Sequence, residues 1–283
     1  MPKSFAPKGI RTDRQPALVN APVIFHGVNK SGSLAMASIL RNSYALRKEN
    51  RRFMCRYMGL PDTREEALDR IRNDQGRNQI LIDHALVGLE QQVPGARMIT
   101  MLRHPVRRMI SAYFWHQTHH PERLLGRDLL NWIRHERLTH SQVRQFAFDH
   151  FSQRDRNAIR NWGIADICNR AMDYFDTHIA WFGITEMFEE SVLALHWELG
   201  FDRIGAGIVD DRNKKRPGYL AREIENGEFG RRNMTISKAY YDEIEDLLSF
   251  DIVFYEMMKR RFRNYLAGFE MDQALGAYRE SNI

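Results

Sequence analysis

Residues 22–40, PVIFHGVNKSGSLAMASIL, decide the fold. Residues 23–28 are a short run of apolar and β-favouring side chains, and residues 29–33 are polar with one glycine. Leu34, Ala37, Ile39, Leu40 and Tyr44 then recur at roughly helical spacing. The stretch therefore reads as a strand, a tight loop and a helix. The pattern returns downstream. QILID (79–83) and RMITML (97–102) read as buried strands, with helical residues expected at 64–73, 86–92 and from 106 to about 116. Pro105 suits a first helical turn, where its missing N–H costs nothing. IAWFGI (179–184) is a later strand, followed by an amphipathic helix over 186–199 that Gly200 closes. Strands separated by helices imply an α/β protein with a central parallel sheet flanked by helices and joined by right-handed crossovers.

Around that core, residues 1–21 read as a flexible N-terminal arm, with three prolines and no apolar period. Residues 22–283 form a single domain, with no internal repeat and no linker that would split it. Residues 128–175 read as mostly helical, 204–233 as a long loop rich in Gly, Asp, Lys and Arg, and 237–248 and 251–268 as terminal helices. A loop that long in a compact domain is often functional.

Composition narrows the class. The chain has 283 residues, 43% apolar and 28% charged, which excludes collagen-like, low-complexity and mostly disordered chains. No apolar run approaches the ~20 residues needed to cross a bilayer. The basic N-terminus lacks the apolar segment of a secretory signal. With Met1 as the start, this points to the cytoplasm. Cys55 and Cys168 do not form a disulfide framework and lack metal-ligand spacing, so both read as buried free thiols. The net charge of +6 is compatible with an anionic ligand and decides little alone.

Two loops carry the chemistry. In the first, Lys30, Ser31, Gly32 and Ser33 sit where the strand meets the helix. The first N–H groups of a helix have no internal partners, and the dipole favours negative charge there. Gly32 allows close approach, the serines offer hydroxyls, and Lys30 offers a cation. A plain N-cap role for Ser31 or Ser33 fits as well. This is not a Walker A loop, because Lys30 precedes Gly32 instead of following it. In the second, RHPVRRMIS, Arg103 ends a strand and Ser111 lies about two turns into the next helix. Ligands of open α/β sheets bind outside the carboxyl ends of strands, where Arg103 can fork onto a phosphate and Ser111 add a hydrogen bond.

Together the loops resemble the sulfotransferases that use 3′-phosphoadenosine 5′-phosphosulfate, most of all the carbohydrate type that includes heparan sulfate 2-O-sulfotransferase. Residues 28–33, VNKSGS, resemble that family's 5′-phosphosulfate loop, P-K-[TS]-G-[ST]-[ST]. Residues 103–111 resemble its 3′-phosphate motif, R-[DH]-P-x-x-R-x-x-S. SQVRQFA (141–147), WFGITEMFEESVLAL (181–195) and DIVFYEMMKRRF (251–262) add weaker likeness. Asn29 stands where proline is usual, and Leu34 where a second hydroxyl is common.

The resemblance implies a P-loop-like sulfotransferase fold and sulfuryl transfer to a hydroxyl, with the bisphosphate nucleotide as product and no metal. The implied acceptor is a carbohydrate or glycolipid. Implied donor contacts are Lys30, Ser31, Gly32, Ser33, Leu34, Arg103 and Ser111. Lys214, Lys215 and Arg216 of the long loop are expected to close over the donor, and Arg144 to face the acceptor. Lys30 would stabilise the leaving phosphate. His84, directly after a strand and within LIDHA, resembles the family's histidine segment and is the expected base, with an ordinary pKa suited to neutral pH. Asp83 could orient it or be the base itself.

His26 reads as a core histidine, His104 as turn chemistry, His119 and His120 as a solvated loop, and residues 113–115 as core, with Trp115 able to reach the cleft. The rival reading is a P-loop-type kinase or other NTPase, with ILID as a Walker B strand and Asp83 on magnesium. A nucleic-acid binder ranks last, since no known motif for it is present. Neither acceptor identity nor oligomeric state is legible.

Overall fold

Four apolar segments pair side by side in the computed structural model. It describes residues 10, 12, 14–19, 21–46, 80–84, 86–136, 138–139, 141–148, 158–201, 237–281 and short pieces between them (4–5, 54–55, 65, 68–69, 204–205, 228–229 and 234–235). The strands are β1 Ser4–Phe5, β2 Val23–His26, β3 Met54–Cys55, β4 Ile80–Asp83, β5 Arg97–Leu102, β6 Ile179–Ile184, β7 Ile204–Gly205, β8 Glu228–Phe229 and β9 Met234–Thr235. The central sheet has the order β3-β4-β2-β5-β6 and every pair in it is parallel. Its four longer strands are those read from the sequence, and the two-residue β3 adds an unexpected edge. β1 pairs with β7 and β8 with β9, both antiparallel.

The helices are α1 Ser33–Leu46, α2 Pro105–His119, α3 Leu129–His135, α4 Ser141–Arg144, α5 Ile164–His178, α6 Phe188–Glu198, α7 Lys238–Leu247, α8 Ser249–Leu266 and α9 Asp272–Ser281. They flank the sheet, and one apolar cluster joins Ile24, Phe25, Ile82 and Ile99 to Met36, Phe175, Leu195 and Phe254. A second cluster unites Met109, Tyr113, Trp132 and Ile244 from α2, α3 and α7.

Three sequence expectations are corrected. Residues 86–92 form turns and a single 3₁₀ turn, Glu90–Gln92, in place of a helix. The helix after β5 runs on to His119, so His119 lies in its last turn, and Pro121 follows its cap. The arm is not loose throughout. Leu18 is 1% exposed, its N–H donates to the Glu198 carbonyl, and Arg14 lies 4.8 Å over the Tyr265 ring. An apolar leucine and two polar anchors dock this part of the arm, which proline content alone did not reveal. The loop expected at 204–233 falls mostly outside the described residues, with Lys214, Lys215 and Arg216. Cys55 lies in β3 with its side chain undescribed, and Cys168 is a half-buried free thiol.

Register positions the site. His26 pairs with Asp83 on one side and Thr100 on the other, so β5 continues two residues past the end of β2. A bulge at Met98/Ile99 shifts β6 so that Ile184 lies opposite Leu102. The residues after β4, β5 and β6 thus emerge around the loop that follows β2. Gly183 permits α6 to press close. A Cβ there would sit 2.9 Å from the Ser191 Cβ and 2.5 Å from the Met101 sulfur. Among the described residues, no helix is long and apolar enough to cross a membrane.

Candidate functional site

The loop after β2 is shaped by its backbone. The Ser31 N–H closes a turn onto the Val28 carbonyl at 3.2 Å. Lys30 has φ of 65° and Gly32 of 78°. Glycine adopts such angles freely, whereas for lysine they are uncommon and strained. Strain of this kind clusters at ligand-binding loops. α1 begins at Ser33, so its first N–H groups, which have no partners within the helix, lie at this loop.

The serine hydroxyls take a different part from the one expected of ligand donors. Ser31 is fully buried and its Oγ donates to the Val28 carbonyl at 2.7 Å. Ser33 Oγ lies 3.0 Å from Ser31 Oγ and 3.3 Å from the same carbonyl. In this arrangement they brace the loop from inside. Leu34, 61% exposed, contributes backbone at the mouth of α1.

Arg103 reaches this loop from the neighbouring strand. Its Nη1 donates to the Lys30 carbonyl at 3.0 Å, across 73 residues of sequence. Its backbone N–H donates to Gln142 Oε1 at 3.3 Å. Burial pushes the guanidinium below its ordinary pKa, and the carboxylate of Glu186 works in the opposite sense. An arginine remains charged under either influence. Ser111 is half-buried on α2, one turn before Trp115. The Trp115 ring lies 5.7 Å from the Lys30 ammonium and stacks on His119. Trp115 and His119 therefore lie beside the lysine loop.

His84 sits on the other flank. Its Nδ1 hydrogen-bonds the Gly27 carbonyl. A carbonyl only accepts, so Nδ1 carries the proton and Nε2 carries the lone pair in the neutral ring. Burial lowers the His84 pKa from 6.5, the bond to Gly27 opposes this, and nearby Lys30 lowers it further. The ring is neutral at pH 7, as a proton acceptor must be. His26 is core, as read. It is fully buried, accepts from the Leu86 N–H at 3.2 Å and packs edge-on against Phe146. His104 stands just before α2, at its cap position, and burial lowers its pKa.

Several residues of the site were not singled out beforehand. Thr185 Oγ1 lies 2.6 Å from the Ser31 carbonyl and 2.9 Å from that of Leu102. Glu186 accepts from the His104 N–H at 3.1 Å and from the Tyr255 hydroxyl at 2.8 Å. Their position directly after a strand was the available signal. Arg108, the third arginine of the RHPVRRMIS segment, is structural. It is 2% exposed, hydrogen-bonds Ser141 and pairs with buried Asp251 at 3.5 Å. Asp251 also accepts from the N–H groups of Gln142 and Val143, each at 2.9 Å. Burial pushes Asp251 up to about 6 against the pull of Arg108 and those amides. The pair holds α4, and with it Gln142, behind Arg103.

The chain is thus an α/β protein whose strand ends gather an arginine and a histidine around one lysine loop. No protein-family model matches the chain. No curated protein matches it in sequence.

Proposed function

We propose that this site binds 3′-phosphoadenosine 5′-phosphosulfate and transfers its sulfuryl group to a hydroxyl, on a carbohydrate or glycolipid acceptor. The sheet would then be the core of a P-loop-like sulfotransferase fold, acting in the cytoplasm. One observation carries the reading: the lysine loop and the arginine segment, each suited to an anion, meet through the 3.0 Å contact of Arg103 with the Lys30 carbonyl. A donor with roughly four negative charges, two of them on its 3′-phosphate, needs two cationic grips on one surface.

In the proposed reaction the acceptor oxygen bonds to sulfur as the bond from sulfur to the bridging phosphate oxygen breaks. That oxygen keeps the electron pair, and Lys30 stabilises the charge it gains. The hydroxyl proton passes to Nε2 of His84, which later releases it to solvent. Products are the sulfate ester and the adenosine 3′,5′-bisphosphate. The Gly27 carbonyl keeps the His84 proton on Nδ1 and so presents Nε2 for this task.

The test is incubation with radiolabelled sulfate donor and a panel of hydroxyl acceptors, with and without chelator. Label should move to an acceptor in both conditions. Magnesium-dependent ATP turnover without sulfuryl transfer would replace this reading with the kinase one. In the same assay His84→Ala should lose turnover by about 10²–10⁴-fold. Its nucleotide affinity should stay within about twofold, because proton transfer is not part of binding. Unchanged turnover removes His84 from the mechanism.

A further inference from the structure

Thr185 touches both anion loops and carries no charge of its own. Its single hydroxyl proton is shared between the Ser31 carbonyl at 2.6 Å and the Leu102 carbonyl at 2.9 Å. Ser31 belongs to the lysine loop, and Leu102 directly precedes Arg103. A Cβ on Gly32 would lie 3.4 Å from the Thr185 methyl. The methyl thus rests on Gly32, where no side chain stands in its way. Glu186, next in sequence, grips the backbone of the arginine segment at the His104 N–H, 3.1 Å away. Tyr255 of α8 braces its other oxygen at 2.8 Å.

We propose that Thr185 is a positioning residue: it fixes the spacing between the two phosphate grips, so that one nucleotide engages both at once. The inference rests on the donor reading above. A doubly phosphorylated ligand binds its second end intramolecularly, at an effective concentration set by the distance between the grips. That gain disappears when the spacing is wrong, even though each grip still works alone. The lysine loop is strained at Lys30, so it needs an outside support to hold its shape. Thr185 supplies that support from a strand end, and Glu186 holds the opposing side.

The experiment compares three probes by calorimetric titration: adenosine 3′,5′-bisphosphate, adenosine 5′-monophosphate and adenosine 3′-monophosphate. Thr185→Val keeps the shape and removes the hydroxyl. It should weaken the bisphosphate by about tenfold or more and each monophosphate by less than about twofold. Thr185→Ser, which keeps the hydroxyl, should restore bisphosphate affinity. If the valine variant does not fold, Thr185→Ala reads the same ratio. Equal loss for all three probes makes Thr185 merely structural and overturns the inference, as does an unchanged bisphosphate affinity. A wild-type protein that does not bind the bisphosphate overturns the donor reading and the inference with it. Wild-type binding with an unchanged ratio in the variant overturns the inference alone.

Discussion

The two anion loops hold their shape by different means. The lysine loop relies mainly on backbone conformation, two left-handed residues and the open N-terminus of α1, with the Ser31 and Ser33 hydroxyls bracing it from inside. The arginine segment relies on side chains: Arg103 reaching across to Lys30, Gln142 beneath its N–H, and the buried Arg108–Asp251 pair behind. A backbone grip tolerates changes of side chain but not of conformation. A side-chain grip fails the other way, when one fork of donors is replaced by a point charge.

Lys30 tests this division most severely, since it combines a strained backbone with the one cation of its loop. Lys30→Ala and Lys30→Gly should both lose turnover by about 10²–10³-fold, measured with labelled donor. The glycine variant should nevertheless be the more stable of the two by about 1 kcal/mol in denaturant unfolding, because only alanine keeps the left-handed strain. Equal stability would show that backbone strain does not distinguish this loop.

On the other side, Arg103→Lys preserves charge but cannot hold the Lys30 carbonyl and a phosphate in one planar fork. Affinity for adenosine 3′,5′-bisphosphate should fall by about 2 kcal/mol, roughly thirtyfold, by titration. Wild-type affinity in the lysine variant would make the segment a simple charge. Gly32→Ala should cost roughly 1–2 kcal/mol of unfolding free energy, since φ of 78° disfavours any Cβ. The neighbouring Thr185 methyl adds a contact at 3.4 Å.

The smallest effect concerns pH. His84 has its pKa lowered from 6.5, so the base stays neutral below that value. The acidic limb of kcat/KM should therefore have its midpoint below pH 6.5, and His84→Ala should remove that limb from its residual activity. The stability sign agrees. An unfolded histidine takes up its proton first as pH falls, so this group's contribution is lost on acidification below 6.5. A limb centred above 6.5 would argue against His84 as the acceptor of the proton.

Much of this was legible in advance for a physical reason. Strands β5 and β6 coincide with the runs RMITML and IAWFGI, and the helix over 237–248 matches α7 with Ser237 as its cap. Apolar runs, periodicity, caps and turn residues act over a few residues and leave their mark in sequence. The same holds for Lys30, Arg103 and His84, each recognisable as a polar group at or just past a strand end. Other features were misread because their causes are not local. Residues 86–92 carry apolar side chains that suit a helix, yet Leu86, Val87 and Leu89 are buried in the sheet's core cluster as a turn. Leu18 buries its side chain in the core while its N–H pairs with the Glu198 carbonyl, and proline content says nothing of that.

The amino-acid sequence by itself determined a parallel α/β sheet, the order of its longer strands along the chain, and which residue types stand at their carboxyl ends. Only the tertiary structure decided what those ends do to one another. The offset of β5 past β2 and the bulge against β6 bring Thr185 between Ser31 and Leu102, and the pairing of β2 with β4 lays His84 against Gly27. Buried Asp251 collects Arg108 and two amides from over 100 residues away. Register and buried pairing come from packing between segments distant along the chain, where burial and hydrogen-bond satisfaction select one arrangement among many that local preference allows.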